Sequence, residues 1–332
     1  MKKKFLGIMA IGILIFTGCG SKETDIAKKF KDKVKKLDSY HIEGLLEITN
    51  NETTYKYDID VAYQADEKYR VSLKNKTNDH EQIILKNSGG VYVLTPALNK
   101  SFKFQSEWPY SNSQSYLYQT LVNDIENDDS KKITKNKDGY IITTKVNYSN
   151  NKNLKSQKIY IDKNANIDKV EVLDKDGLVK IKMTYKKVDD NASFDDEYFK
   201  LSGNIDVTDT KQKQEKQTAN LLDVAYPLYI PNNTKLASQQ TVDTKTGERT
   251  ILTFKGDEPF TIIEEVANIE DNMQTITVDG DLEFVNDVVG NITDESVSWI
   301  SNGIEYYAVS NTMDTEQLLE VVNSINVLPV GK

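Results

Sequence analysis

One cysteine and two histidines are all the thiol and imidazole chemistry in this sequence of 332 residues. That scarcity excludes a disulfide framework and argues against clustered Cys/His sites for a metal or a nucleophile. His41 and His80 stand alone in alternating patterns and read as ordinary strand residues, so neither a metal nor a cofactor is expected. Positive charge is in deficit: 42 Lys and Arg face 51 Asp and Glu, a net charge of −9. Such a surface repels nucleic acid, whose binding rests on Lys and Arg neutralising phosphates. Gly89-Gly90 lies between strand patterns and precedes no helix, so it makes no phosphate loop. Beyond Phe16 no apolar run approaches the roughly 20 residues that span a bilayer.

What is present begins with the amino terminus. "MKKKF" precedes the apolar run "LGIMAIGILIF", and the small residues Thr17 and Gly18 lead directly to Cys19. A positive start, a short apolar core and a small-residue cleavage point make a secretory signal over residues 1–18. The run is too short for a transmembrane anchor. With Cys19 the pattern resembles a bacterial lipoprotein lipobox, although Phe16 stands where leucine is usual. The resemblance implies cleavage before Cys19, acylation of its thiol and new amino terminus, and a lipid anchor on the extracytoplasmic face of the cell membrane.

Residues Thr24 to Leu37 place Ile26, Phe30, Val34 and Leu37 on one helical face, with lysines elsewhere. Such a helix either lies on anionic lipid or caps the mouth of a sheet; the second is the expectation. From Tyr40 to about Val188 the chain alternates with period two, and turns such as Ser88-Gly89-Gly90 and Asp174–Gly177 separate the runs. That is the pattern of consecutive antiparallel hairpins with one buried face. Ser113 to Ile125 interrupts it with Tyr116, Leu117, Leu121, Val122 and Ile125 at helical spacing. A curved meander over residues 19–199 with covering helices is expected.

Residues 200–220 are polar and read as a linker. Residues 221–332 read as a smaller antiparallel-sheet domain with a carboxy-terminal helix, an α+β unit. "YPLYIP" suits an extended lead-in or edge strand, and "TILTFKG", "FTIIEEVA", "QTITV", "LEFVND", "VSWI" and "GIEYYAVS" read as its strands. Asp314 and Gln317 form a capping-box pattern ahead of Leu318, Leu319, Val322 and Ile325.

Catalytic patterns are missing. Asp195-Asp196 and Glu264-Glu265 are adjacent pairs that a strand would point to opposite faces, so solvated surface is the expected account. Asp162 to Asp168 lacks a calcium loop's obligatory glycine, Ile167 standing in its place. The chain is read as no enzyme.

Ser88 to Ile125, Lys158 to Val188 and Phe194 to Leu201 resemble the LolA/LolB/RseB superfamily of lipoprotein carriers and sensors, a half-barrel closed by helices. Within it the pattern is most similar to the sporulation and germination lipoproteins of the GerS and YdcC type, with a small carboxy-terminal domain appended. The resemblance implies that the concave face is an acyl-chain trough or a filled core, and the expectation leans to a filled or reduced cavity. Its candidate lining is Leu46, Ile59, Val71, Ile84, Tyr92, Leu94, Trp108, Leu117 and Leu121; Trp108, Tyr110 and Tyr116 are candidate partner contacts. Three functions follow. The first is a sporulation lipoprotein that binds and positions a partner such as a cortex-modifying amidase, which would place it at the membrane, with the space between forespore and mother cell as one such location. The second is an acyl-chain or lipoprotein carrier or envelope sensor. The third, a cell-wall hydrolase, is disfavoured by the missing catalytic groups.

Overall fold

The computed structural model of the chain describes residues 21–50, 53–204, 224–244, 247–269 and 272–325; Cys19 lies outside them. Helix α1 (Ser21–Val34) is followed by strands β1 (Ser39–Asn50), β2 (Thr53–Gln64), β3 (Lys68–Asn75), β4 (Glu81–Asn87), β5 (Gly90–Thr95) and β6 (Lys100–Phe104). Helix α2 (Tyr118–Asn127) then precedes β7 (Lys132–Lys135), β8 (Gly139–Lys145), β9 (Leu154–Asp162), β10 (Ile167–Asp174) and β11 (Val179–Asp189). The second half holds β12 (Lys235–Thr244), β13 (Gly247–Lys255), β14 (Phe260–Val266), β15 (Gln274–Val278), β16 (Asp281–Val285), β17 (Val288–Ile292), β18 (Ser296–Ser301) and β19 (Ile304–Val309). Helix α3 (Thr315–Val322) follows.

Eleven of the twelve strands in the first sheet come from the meander, and β1 pairs with β11 to join its two halves. Strict alternation in β1 buries Tyr40, Ile42, Leu46 and Ile48 on the concave face. A bulge opposite β11 falls at Glu43/Gly44, and there a Cβ on Gly44 would stand 2.5 Å from the Thr184 carbonyl oxygen. Only glycine lets the two backbones approach so closely.

The two helices and the segment before α2 cover the concave side. Ile26, Phe30 and Val34 of α1 are buried, and the Phe30 ring meets Tyr118 edge-on at 5.8 Å. The α1 lysines clamp the helix down: Lys33 bonds Asp190 at 2.7 Å, and Lys35 bonds Glu126 at 2.6 Å. The apolar stripe is therefore spent on the sheet, as expected for a capping helix. Helix α2 starts at Tyr118, later than the spacing from Ser113 suggested, because the preceding residues are held by loop contacts. Ser113 N–H donates to Asn147 O at 2.7 Å, and Thr120 Oγ1 donates to Gln114 O at 2.7 Å.

The second sheet runs β12-β13-β14-β19-β18-β17-β16, with α3 packed on it. Its core includes Phe254 stacked on Phe260 at 4.2 Å and Trp299 stacked on Tyr306 at 4.8 Å. Asp314 caps α3, accepting from Gln317 N–H, while Gln317 Oε1 accepts from Asp314 N–H at 3.1 Å.

Two expectations about the boundary are corrected. "QTITV" does not join the second sheet: β15 pairs in parallel with β6 and becomes the edge of the first. Nor does a linker begin at Lys200, because Arg70 Nε donates to Asn204 Oδ1 and the Asn204 amide donates to Tyr198 O and Lys200 O. The chain stays on the first sheet at least to Asn204.

The hairpin β16–β17 binds the two sheets together. Leu282 and Val289 belong to the first sheet's concave core, whereas Val285, Val288 and Ile292 belong to the second. Gln82 on β4 reaches across, its amide N–H donating to Val289 O at 3.0 Å and its carbonyl accepting from Val289 N–H at 2.6 Å. At the hairpin tip Asn286 takes a left-handed backbone (φ 53), and its amide donates to Val322 O at 3.0 Å. Its neighbour Asp287 accepts from Asn78 at 3.1 Å and from Ser301 at 2.8 Å. Gln82→Ala would leave both Val289 backbone groups buried without partners, at roughly 1–3 kcal/mol each. A drop in melting temperature is expected, with no loss of strand content by circular dichroism; an unchanged melting temperature would contradict the clamp.

Candidate functional site

The sequence-derived lining residues divide between two faces of the sheet. Leu46, Ile59, Val71, Ile84, Trp108, Tyr116, Leu117 and Leu121 are all buried in the concave core. Tyr92 and Leu94 are not: they lie on the opposite face with Ile83 and Leu85, under Phe194, Tyr198 and Phe199. Strand β5 is buried on both faces, so its run "VYVL" gives no alternation from which to choose a side. The candidate contact aromatics also divide. Trp108 and Tyr116 are each 2% exposed, which removes them from the surface, whereas Tyr110 is 42% exposed. Tyr110 shares a hydrogen bond with Tyr69 at 3.1 Å and lies under the Lys86 ammonium.

Where the concave face meets the second sheet, a cavity of about 350 Å³ remains. Leu46 and Ile48 of β1, Ile84 of β4, Trp108 and Tyr116 form its wall on the first sheet. Ile59, Val71, Leu117 and Leu121 do not reach it; they fill the core behind. The opposite wall is Leu282, Glu283, Phe284 and Val289 from the hairpin, with Glu316, Leu319, Glu320 and Asn323 from the α3 region. A loop with Tyr148, Asn150, Asn151 and Asn153 closes one side. Buried Asn112 orders that loop by accepting from Ser149 N–H at 3.0 Å, and Asn153 donates to Glu316 at 3.1 Å. Five lining acids (Asp174, Asp176, Glu283, Glu316, Glu320) face two lining lysines, Lys175 and Lys180.

Acids also sit inside the molecule. Glu264, expected on the surface, is 1% exposed; burial pushes its carboxyl up to about 7, and the Ala225 N–H, donated at 3.2 Å, offsets part of that. Its neighbour Glu265 pairs with Arg249 on β13, so the two side chains do diverge, but inward and outward. Burial also pushes Asp124 up to about 6, against hydrogen bonds from Ser113 and Gln157. Glu283 is pushed up to about 7 by burial and further by Asp281, while the Phe284 N–H and the Asn150 amide pull the other way. A lone Glu in "LEFVND" looks like the wet side of an alternating strand; only the second sheet packing over it makes it interior.

Among the described residues, no group of three or more His, Cys, Asp or Glu could hold a metal ion. His41 bonds Asp60 at 2.6 Å and serves the sheet.

These three acids make a pH prediction with one sign. Each carboxyl holds its proton more tightly folded than unfolded, so charging it costs stability. That stability is complete below the unfolded values near about 4 and is lost as pH rises through about 6 and 7. Each acid contributes on the order of 1–3 kcal/mol. The melting temperature should fall from pH 5 to pH 8, and Glu264→Gln should flatten part of the slope. A melting temperature that rises over that interval would contradict the burial of these groups.

With this geometry established, comparison with known proteins identifies the lineage. The family described as sporulation protein YdcC-like matches residues 2–199. Sporulation protein YdcC of Bacillus subtilis (strain 168) is 32% identical over 329 residues, 98% of this chain and 97% of its own. More distant structural likenesses include MucB (12% identity, TM-score 0.36, 92% of this chain and 98% of that one). Another is a chain in the structure of the CwlD amidase from Clostridioides difficile with the GerS lipoprotein (17% identity, TM-score 0.31, 54% and 99%). The match to YdcC runs through both sheets and the hairpin between them, and on it this chain belongs to the YdcC-like family of sporulation proteins.

Proposed function

We propose that this sporulation protein is a non-enzymatic lipoprotein, anchored through Cys19 on the extracytoplasmic membrane face, that holds a partner protein in place. The use made of the concave face supports this reading over a carrier. An acyl chain needs a dry, roomy trough. Here Ile59, Val71, Leu117 and Leu121 fill the trough, the β16–β17 hairpin closes over it, and the space left is bordered by acids and amides. Recognition is left to the exterior. Tyr226, Leu228, Tyr229 and Ile230 are exposed on the lead-in to the second sheet, with Leu228 at 77%. Tyr226 Oη donates to Gln239 on β12, a terminal strand of that sheet. Exposed apolar clusters of this kind mark protein interfaces.

Kinship with the germination lipoproteins makes a cortex-modifying amidase the partner to test first, and a role in preparing spore cortex for germination the consequence. One observation favours the carrier as a second reading: Leu46, Ile48, Ile84 and Leu282 give the remaining cavity an apolar wall.

A native mass spectrum of residues 21–332, purified without detergent and mixed with the organism's cortex amidase, separates the two. We expect a stoichiometric protein complex with no small adduct; adducts of acyl-chain mass without a complex would overturn the reading. The anchor is tested by feeding sporulating cells an alkyne-tagged palmitate. Wild-type protein should take up the tag and Cys19→Ala should not; equal labelling would place the lipid elsewhere.

A further inference from the structure

Of these three acids, Glu283 alone lines the cavity. Asp124 receives the Gln157 amide at 2.7 Å, and Glu264 holds the Ala225 N–H against the second sheet. Glu283 Oε1 accepts the Phe284 N–H at 3.2 Å, and the Asn150 amide beside it also favours the charged form. Its Oε2 is sealed from solvent and has no hydrogen-bond partner, yet the residue lines the cavity between the sheets. A half-buried carboxylate with one oxygen left unpartnered is under-compensated, and an incoming positive charge relieves it best. A neutral donor relieves it less, and an anion is repelled.

The surroundings repeat this preference. Glu316 and Glu320 of the α3 helix add negative charge at the lining. The rings of Trp108, Tyr116 and Phe284, with Leu46 and Ile84, offer apolar surface for a hydrocarbon stem and π-faces for a cation. At about 350 Å³ the volume sits at the low end of ligand sites, enough for one amine-bearing side chain or a small free amine.

The geometry points to a binding site in this cavity for a primary amine or guanidinium on a short hydrocarbon stem, with Glu283 as its counter-ion. The group is supplied either by a basic segment of a protein or by a free small amine. The site is separate from the exposed Tyr226–Ile230 surface, so it stands or falls independently of the partner reading.

Calorimetric titration of residues 21–332 with three probes tests it: Ac-Gly-Lys-Gly-NH2, 1,5-diaminopentane and the uncharged isostere Ac-Gly-norleucine-Gly-NH2. At least one cationic probe should bind, with the isostere weaker by about tenfold or more. Glu283→Gln, which keeps the shape and removes the charge, should weaken the cation by about tenfold, roughly 1.4 kcal/mol, without lowering the melting temperature. Glu320→Lys, on an exposed helix position, should weaken it severalfold and serves if Glu283→Gln fails to fold. Binding of the peptide alone assigns the site to a partner's side chain; binding of the diamine assigns it to a free amine. The proposal is overturned if the isostere binds as well as the cations. It is equally overturned if the charge variants bind unchanged, or if neither cation binds up to about 10 mM, where even a millimolar site would saturate.

Discussion

Gln82 pairs its side-chain amide with both backbone groups of Val289, and the closure of the molecule depends on that contact. A curved sheet with an apolar concave face cannot stand open in water; something must cover it. Two helices cover part, and the β16–β17 hairpin covers the rest by serving two cores at once. Leu282 and Val289 point into the first sheet while Val285 and Val288 point into the second. A hairpin buried on both sides must have its polar backbone satisfied. Gln82 supplies this where no neighbouring strand can, and the fastened tip at Asn286 and Asp287 holds the hairpin at that depth.

From this closure follow both the mixed character of the cavity and its electrostatics. Strand β16 brings Glu283 along with Leu282 and Phe284, so sealing the apolar face also takes a carboxylate partly out of water. The same packing over the second sheet buries Glu264 beneath the lead-in segment, where it receives the Ala225 N–H. Polar edge contacts hold the sheets in register: β15 on β6, Lys100 with Glu305 at 2.9 Å, and Ser106 donating to Asp281 at 2.6 Å. A concave face closed in this way is a structural core with a small chamber of mixed polarity left inside it.

Much of the architecture was legible in the sequence because single-faced burial leaves a period. The alternation of β1, the stripe of α1 and the capping box of α3 all appear where side chains at one spacing meet one environment. What could not be read has the opposite cause. Strand β5, buried on both faces, hid which side Tyr92 and Leu94 take. "QTITV" has the composition of any edge strand, and nothing local records that its partner is β6, over 170 positions earlier in the chain. Glu283 alternates with Leu282 and Phe284 as a wet-face residue should, while Glu264 falls in phase with buried Phe260 and Ile262; in both cases elements distant in sequence cover the carboxyl. The cavity was half legible: Leu46, Ile84, Trp108 and Tyr116 were found on one wall, and the hairpin and α3 wall was missed.

The most direct test of this closure is residue-resolved hydrogen exchange on residues 21–332, read at the Val289 amide and along β15. If the second sheet seals the first, these amides exchange as slowly as those of β1 to β3, because only a large opening frees them. Exchange at Val289 and Gln274–Val278 on the timescale of exposed loops would mean that the sheets part readily, and the concave face would again be available to a ligand.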